Sequence, residues 1–309
     1  MKACFIIPYF GHFPNTFELW LDDCKNNPDF NWLIFTDDES SYNYPKNVFV
    51  HYTTLQQLKE RFEQTLGFQI SLNAPYKLCD YKPLYGDLFK QELINYSHWG
   101  YCDVDLLFGD LKLAFSEERL IQYDKISVLG HMCLLKNKKE INTIYKNCNY
   151  TAIFQDNSNK TFDEIRYEPN INSLLTEAGY KVHPIEEYAD IGEEHFSFQL
   201  WSYIGKPKNI VSYKEPVIFL HKNNNLYKVT IDRKSNKLQY EEISYVHFQK
   251  RKIKISDKIE ENYLLVPNRI EPIKEITIED VRKYSKDKII YFIKHRSLRI
   301  KRWLKRHIK

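Results

Sequence analysis

Residues 3–8, Ala-Cys-Phe-Ile-Ile-Pro, are apolar at every position of what would be a pleated strand. A strand like that must be covered on both faces, as the interior strands of parallel sheets are. Tyr9-Phe10-Gly11-His12 breaks the run, and an amphipathic helix is expected from about Asn15 to Asn26. The pattern then recurs. Asn31 to Thr36 reads as a second strand ending at Asp37-Asp38, and Val48 to Tyr52 as a third. Thr54-Leu-Gln-Gln57 fits a capping box that opens a helix to about Leu66. Strand and helix alternating in this way predict an α/β fold, and 309 residues suffice for one large domain, or one domain with an appendage.

Further strands are expected at His98 to Asp103 and Ile126 to Leu135, with helices around Lys138 to Asn147 and Glu168 to Ala178. Val211 to Leu220 reads as a strand or a loop–strand pair, and Tyr240 to His247 alternates as a half-buried strand does.

In α/β sheets, ligands bind beyond the carboxyl ends of the strands, which draws attention to Pro8, Tyr9 and Phe10 and to the acidic pair after the second strand. Asp37 suits a ribose hydroxyl or base edge, or equally a solvated turn. Neither a Gly-x-Gly-x-x-Gly fingerprint nor a phosphate-cradling Walker loop is present. In Tyr76-Lys77-Leu-Cys-Asp80-Tyr-Lys82-Pro83, two cations precede an expected helix to about Tyr96. A helix start offers free N–H groups to phosphate, and solvated surface lysines are the competing interpretation.

That stretch leads into Tyr101-Cys-Asp103-Val-Asp105-Leu-Leu-Phe-Gly109. Two carboxylates one residue apart at a strand's end can share a hard divalent cation, or simply cap a loop. Downstream, Tyr245-Val-His247-Phe-Gln-Lys250-Arg251-Lys252 offers an imidazole that could complete a mixed oxygen and nitrogen coordination sphere. Its two cations, Lys250 and Arg251, are suited to diphosphate oxygens or to a solvated edge strand. His131 could face a substrate or be a satisfied buried histidine.

Charge is unevenly spread. The net is +4, yet ten Lys or Arg against one Asp fall between Lys286 and Lys309, so the body ahead of them is net acidic. A general nucleic-acid binder would carry its basic residues on the main domain, so no nucleic-acid partner is expected. Ile289, Phe292, Ile293, Ile300, Trp303, Leu304 and Ile308 fall near one helical face of that tail. This matches a basic amphipathic helix over about 285–309 lying on an anionic membrane surface; a nucleic-acid tail or a helix packed on a partner competes with it. The six cysteines show neither Cys-x-x-Cys nor zinc spacing, and the N-terminal apolar run is short and contains Pro8. A reducing cytoplasmic setting is expected, with the chain peripheral on the inner face of the membrane.

The order Pro8-Tyr9-Phe10-Gly11, Phe35-Thr36-Asp37, Lys77 to Pro83, Asp103-Val-Asp105 and Tyr245-Val-His247-Phe-Gln-Lys250 resembles bacterial glycosyltransferases of the GT-A fold, in particular those of capsule and lipopolysaccharide O-antigen gene clusters. The resemblance covers about residues 1–252. It implies a Rossmann-like, mixed but mainly parallel sheet, with a nucleotide-sugar half at about 1–110, an acceptor half at about 111–252, and an extension from 253 to 309. It also implies Mn²⁺- or Mg²⁺-dependent transfer of a hexose such as galactose or glucose from a UDP-sugar donor to a glycan or lipid-linked oligosaccharide acceptor. On that resemblance Asp105 and His247 would bind metal, and Asp103 metal, ribose or sugar. Pro8, Tyr9, Phe10 and Asp37 would line the nucleoside, and Val104 would adjoin the donor. Lys77, Asp80 and Lys82 would reach ribose or diphosphate, and Lys250 or Arg251 the departing phosphate. Asp163 or Glu164 would be the base of an inverting reaction, with Glu193 and Glu194 as weaker alternatives. The rival expectations are a carbohydrate-binding scaffold without catalysis and a sugar nucleotidyltransferase; the latter would want a Gly-rich loop where only Gly11 stands.

Overall fold

The computed structural model describes residues 2–165, 167–193, 195–203, 210–213, 216–249, 251–257, 259 and 261–284, with Tyr291, Ile293, Arg296, Ser297 and Ile300 in the tail. The helix expected over 285–309 otherwise lies outside the described residues. The chain is mixed α/β and forms two compact units. One comprises Met1–Val104 with Leu111–Glu186, the other Asp105–Asp110 with Glu187–Lys309.

In chain order the strands are β1 (Ala3–Tyr9), β2 (Phe30–Thr36), β3 (Val48–Tyr52), β4 (His98–Cys102), β5 (Leu106–Phe108), β6 (Lys125–Ile126), β7 (Met132–Lys136), β8 (Val182–His183) and β9 (Tyr188–Ile191). There follow β10 (Leu200–Tyr203), β11 (Ile210–Tyr213), β12 (Ile218–Lys222), β13 (Asn225–Asp232), β14 (Lys237–Ile243), β15 (Tyr245–His247), β16 (Lys254–Ile255), β17 (Tyr263–Val266) and β18 (Arg269–Pro272).

The first unit is built on a seven-stranded sheet in the order β3-β2-β1-β4-β7-β6-β8. The first four strands are parallel, with Ile6 beside Leu33 on one side and Tyr101 on the other. β7 returns antiparallel to β4. The apolar run in β1 is explained by cover on both faces. Cys4 and Ile6 belong to a core with Leu58 and Phe62 of the helix Leu55–Leu66. Phe5, on the opposite face, stacks on Trp32 and meets Phe115 edge-on, and Trp32 in turn meets Trp20 of the helix Phe17–Lys25. Truncating a fully buried ring such as Phe62 to alanine would cost about 3–5 kcal/mol. The capping box at Thr54 and Gln57 forms as expected, and Gly67 ends that helix in the left-handed region at φ 79°.

Three local expectations are corrected. Pro75–Leu84 is itself a run of 3-10 turns and only Tyr85–Leu88 continues as α-helix, so Lys77, Asp80 and Lys82 lie within the helical stretch rather than ahead of it. Pro83, which has no N–H to donate, sits at the change. The apolar stretch Ile126 to Leu135 is two strands, with β6 antiparallel to β7. Ser127 at φ 71° begins the connection between them. Finally, Tyr240 to Lys252 divides at Ser244 into β14 and β15, which belong to different sheets.

The second unit holds a five-stranded sheet, β11-β10-β9-β15-β5, and a six-stranded one, β14-β13-β12-β17-β18-β16. β17 pairs with β12, so this six-stranded sheet holds strands from both sides of residue 252. Among the described residues, no helix is long and apolar enough to cross a membrane.

Candidate functional site

The strand order in the first unit reverses at β1, because β2 and β3 lie to one side and β4 to the other. The crevice beyond the carboxyl ends at such a switch point is where open α/β sheets hold ligands. β1 delivers Tyr9, Phe10 and Gly11 there, β2 delivers Asp37, and β4 delivers Asp103. Gly11, at φ 95°, turns its N–H to Asp37 Oδ1 at 2.7 Å, and the N–H of Phe13 donates to Asp38 Oδ2 at 3.1 Å. The two acidic residues therefore clamp the first loop. Asp37 is exposed and Asp38 buried; Pro8 and Tyr9 are half-buried, Phe10 and Val104 buried.

Lys77 and Asp80 are buried and spend themselves on the fold. The ammonium donates to Asp80 Oδ2 at 2.7 Å and to the carbonyls of Ile153 and Ser158 at 2.9 and 2.7 Å, which uses all three of its protons. Asp80 accepts in addition from the N–H groups of Lys160 and Phe162. This latch fixes the backbone immediately before Asp163, so the expected contact of Lys77 and Asp80 with ribose or diphosphate is replaced by a structural role.

Lys82 reaches the carboxyl end of β4. Its Nζ donates to Asp103 Oδ1 at 2.8 Å and to the Gly130 carbonyl at 2.7 Å, and it sits 3.3 Å from Asp163 Oδ2. Burial favours the neutral amine, but Asp103 and Asp163 outweigh it and hold the pKa well above the usual lysine value. Asp163 is 2% exposed. Its pKa is pushed up to about 7, mainly by burial, with Lys82 opposing and Glu164 and Asp103 adding to the rise. Among the described residues its Oδ1 is buried without a hydrogen-bond partner. Glu164 is half-buried beside it. The sequence did not single out Gly130, yet a Cβ there would lie 2.8 Å from Glu164 Cγ and 2.9 Å from Asp163 Oδ2, so any larger residue would push this acidic pair aside. His131 is buried, and its carbonyl accepts the Asp103 N–H at 2.9 Å.

In the second unit, β15 lies between β5 and β9, and its register sets His247 opposite both Leu106 and Asp190. Asp105 directly precedes β5. His247 Nδ1 is 2.9 Å from Asp190 Oδ1, and Nε2 is 3.5 Å from Asp105 Oδ1. Gln249 Nε2 also donates to Asp190 Oδ1, at 3.0 Å, and the Phe248 N–H donates to the Asp105 carbonyl. Burial alone would lower the imidazole pKa; Asp105 and Asp190 reverse that and hold it well above 6.5. Asp190 was missed because nothing in Tyr188-Ala-Asp-Ile marks it. Only the β9–β15 pairing, 57 residues apart in sequence, reveals it.

Arg251 departs from its expected diphosphate role. The guanidinium is buried and donates to the carbonyls of Gly192, His195, Phe196 and Ser197 and to Asn268 Oδ1. All five of its N–H donors have acceptors within the unit. Glu193 is half-buried within that loop; Lys250 and Glu194 lie outside the described residues.

These observations define a mixed α/β protein with a topological switch point in one unit and a carboxylate–histidine–carboxylate line in the other. Residues 5–274 match the model of a "Family of unknown function (DUF6625)", and the chain belongs to that family. A search of curated proteins finds no match.

Proposed function

We propose that this protein is a metal-dependent glycosyltransferase of the GT-A type, inverting at the anomeric carbon, that moves a hexose from a UDP-sugar to a glycan or lipid-linked acceptor in the making of a cell-surface polysaccharide. The observation that carries the reading is the line Asp190–His247–Asp105. A metal-bound histidine ordinarily donates its second ring N–H to a carboxylate, and Asp190 is placed to receive it. The donor set that remains, imidazole Nε2 with the Asp105 carboxylate, mixes nitrogen and oxygen, which suits Mn²⁺ better than Mg²⁺, a harder cation that takes oxygen ligands.

When bound, such a cation takes up negative charge developing on a departing diphosphate. The chain's own groups supply the rest. Asp190 orients His247. Phe10 and Asp37, at the carboxyl ends of β1 and β2, receive the nucleoside. Asp163 takes the proton of the acceptor hydroxyl: its Oδ1 has unfilled hydrogen-bond capacity, and a carboxyl titrating near 7 matches the work of a base at neutral pH. Lys82 holds Asp103 and Asp163 in place. The basic residues of the tail support attachment to anionic lipid, which vesicle flotation of the full chain against one ending at Tyr284 would test.

The deciding experiment screens UDP-hexoses for Mn²⁺-dependent UDP release with oligosaccharide acceptors. Asp105→Ala is expected to lower turnover by at least about 10²-fold while the thermal midpoint stays within a few degrees. Turnover above a tenth of wild type would remove the metal role.

A further inference from the structure

Among the described residues, one face of the six-stranded sheet is only partly covered. The helix Ile278–Lys283 lays Val281 against Ile218, Val229, Leu264 and Val266, and Ile276 packs on the same group. Toward the β12–β13 turn, residues 273–276 and the sheet enclose an open cleft of about 650 Å³, within the size range of small-ligand sites.

Register explains its lining. Leu220 pairs with Tyr227 and Lys222 with Asn225, while Val229 pairs with Tyr240. Side chains alternate along a strand, so Asn225, Tyr227 and Tyr240 stand on one face. Tyr240 is 49% exposed and Ile273 41%, a large aromatic and a branched aliphatic left at the mouth. Asn223 closes the end. It sits in the left-handed region at φ 52°, and its backbone N–H is fixed to Asn262 Oδ1 at 2.8 Å. Asn225 Nδ2 donates to the Tyr227 hydroxyl at 3.3 Å, which holds that phenol in place.

We infer that this cleft binds a segment of glycan. A pyranose has one face of C–H groups and a rim of hydroxyls; the first packs on a phenol ring, and the second needs groups that both donate and accept. Tyr227 and Tyr240 provide rings with a polar edge, and Asn223 and Asn225 provide amides. The charges do not favour a polyanion. Lys274 is ion-paired with Asp280 and Glu275 is its neighbour, which leaves Lys222 as the main cation of the lining; a nucleic acid would need several phosphate contacts. The inference does not rest on the transferase reading.

The test is saturation-transfer NMR and calorimetry on the full chain with hexasaccharides of α-1,4-glucan, β-1,4-glucan, β-1,4-galactan, β-1,4-mannan and chitin. At least one is expected to bind, with Tyr240→Ala and Asn223→Gly each weakening it about fivefold or more. Both changes spare the fold, because Tyr240 is half-exposed and glycine accepts the left-handed turn. Asp105→Ala should bind that oligosaccharide as wild type does, which separates this cleft from the metal line. Failure of the wild-type chain to bind any of the five, or binding untouched by both cleft substitutions, would overturn the inference.

Discussion

Asp190 Oδ1 meets His247 Nδ1 at 2.9 Å, and the far nitrogen of the same ring lies 3.5 Å from Asp105. One carboxylate thus fixes the orientation of the imidazole, and the ring presents its other nitrogen to a second carboxylate. Asp190→Asn removes the charge and leaves only a neutral amide oxygen to accept from Nδ1. Loss of such an outer partner commonly costs about 10- to 100-fold in metal affinity. That loss in Mn²⁺ affinity is expected from calorimetry, with circular dichroism unchanged. Equal affinity in both proteins would show that Asp190 does not act through His247.

The same ring sets a pH dependence. Proton and cation compete for Nε2, and the two carboxylates keep the imidazole protonated well above 6.5. Over that range each bound cation must displace a proton, so affinity should rise about tenfold per pH unit and flatten once the raised value is passed. The metal-free fold has the opposite slope. A histidine whose pKa is higher folded than unfolded contributes stability that is fully present below about 6.5 and is lost as pH climbs through the folded value. The thermal midpoint without metal should therefore fall between pH 6 and 9, and His247→Gln should flatten both trends.

Much of the first unit was legible because local signals agreed with tertiary demand. The both-sided apolar run of β1 and the Thr54 capping box each describe their own surroundings. The buried ions were not legible. Lys77 and Arg251 look like solvated or phosphate-seeking cations, yet their partners are carbonyls that come near only after the chain has folded. The hairpin β6–β7 was hidden because Ile126 to Leu135 is largely apolar through strands and turn alike, with Ser127, Gly130 and His131 the few marks of the break. His247 and Asp105 were found by residue type. Asp190 required a strand register that no local pattern encodes.

Asp163 and Gly130 carry a third expectation. The Asp163 carboxyl, with its pKa near 7, is the proposed base and must be ionised to accept a proton. The log of kcat/KM should therefore rise with unit slope below about pH 7 and level off above it. Asp163→Asn should abolish transfer while UDP and Mn²⁺ still bind. Gly130→Ala would drive a methyl into Glu164 Cγ and Asp163 Oδ2, for an overpacking cost of about 1–3 kcal/mol. Its expected signature is a lower kcat with a donor KM close to wild type. A pH profile flat from 5.5 to 8 would exclude Asp163 as the base.

Arg251 separates a structural from a ligand-binding cation. Its guanidinium gathers the carbonyls of residues 192, 195, 196 and 197, and a lysine there would bring three donors in place of five. Arg251→Lys leaves several buried carbonyls without partners, at about 1–3 kcal/mol for each one unmet. The thermal midpoint should fall by several degrees, and limited proteolysis should cut within 192–198 where the wild type resists. Below that midpoint the KM for the UDP-sugar should hold. A tenfold rise in KM with stability intact would return Arg251 to the diphosphate and displace the loop-organising role assigned to it here.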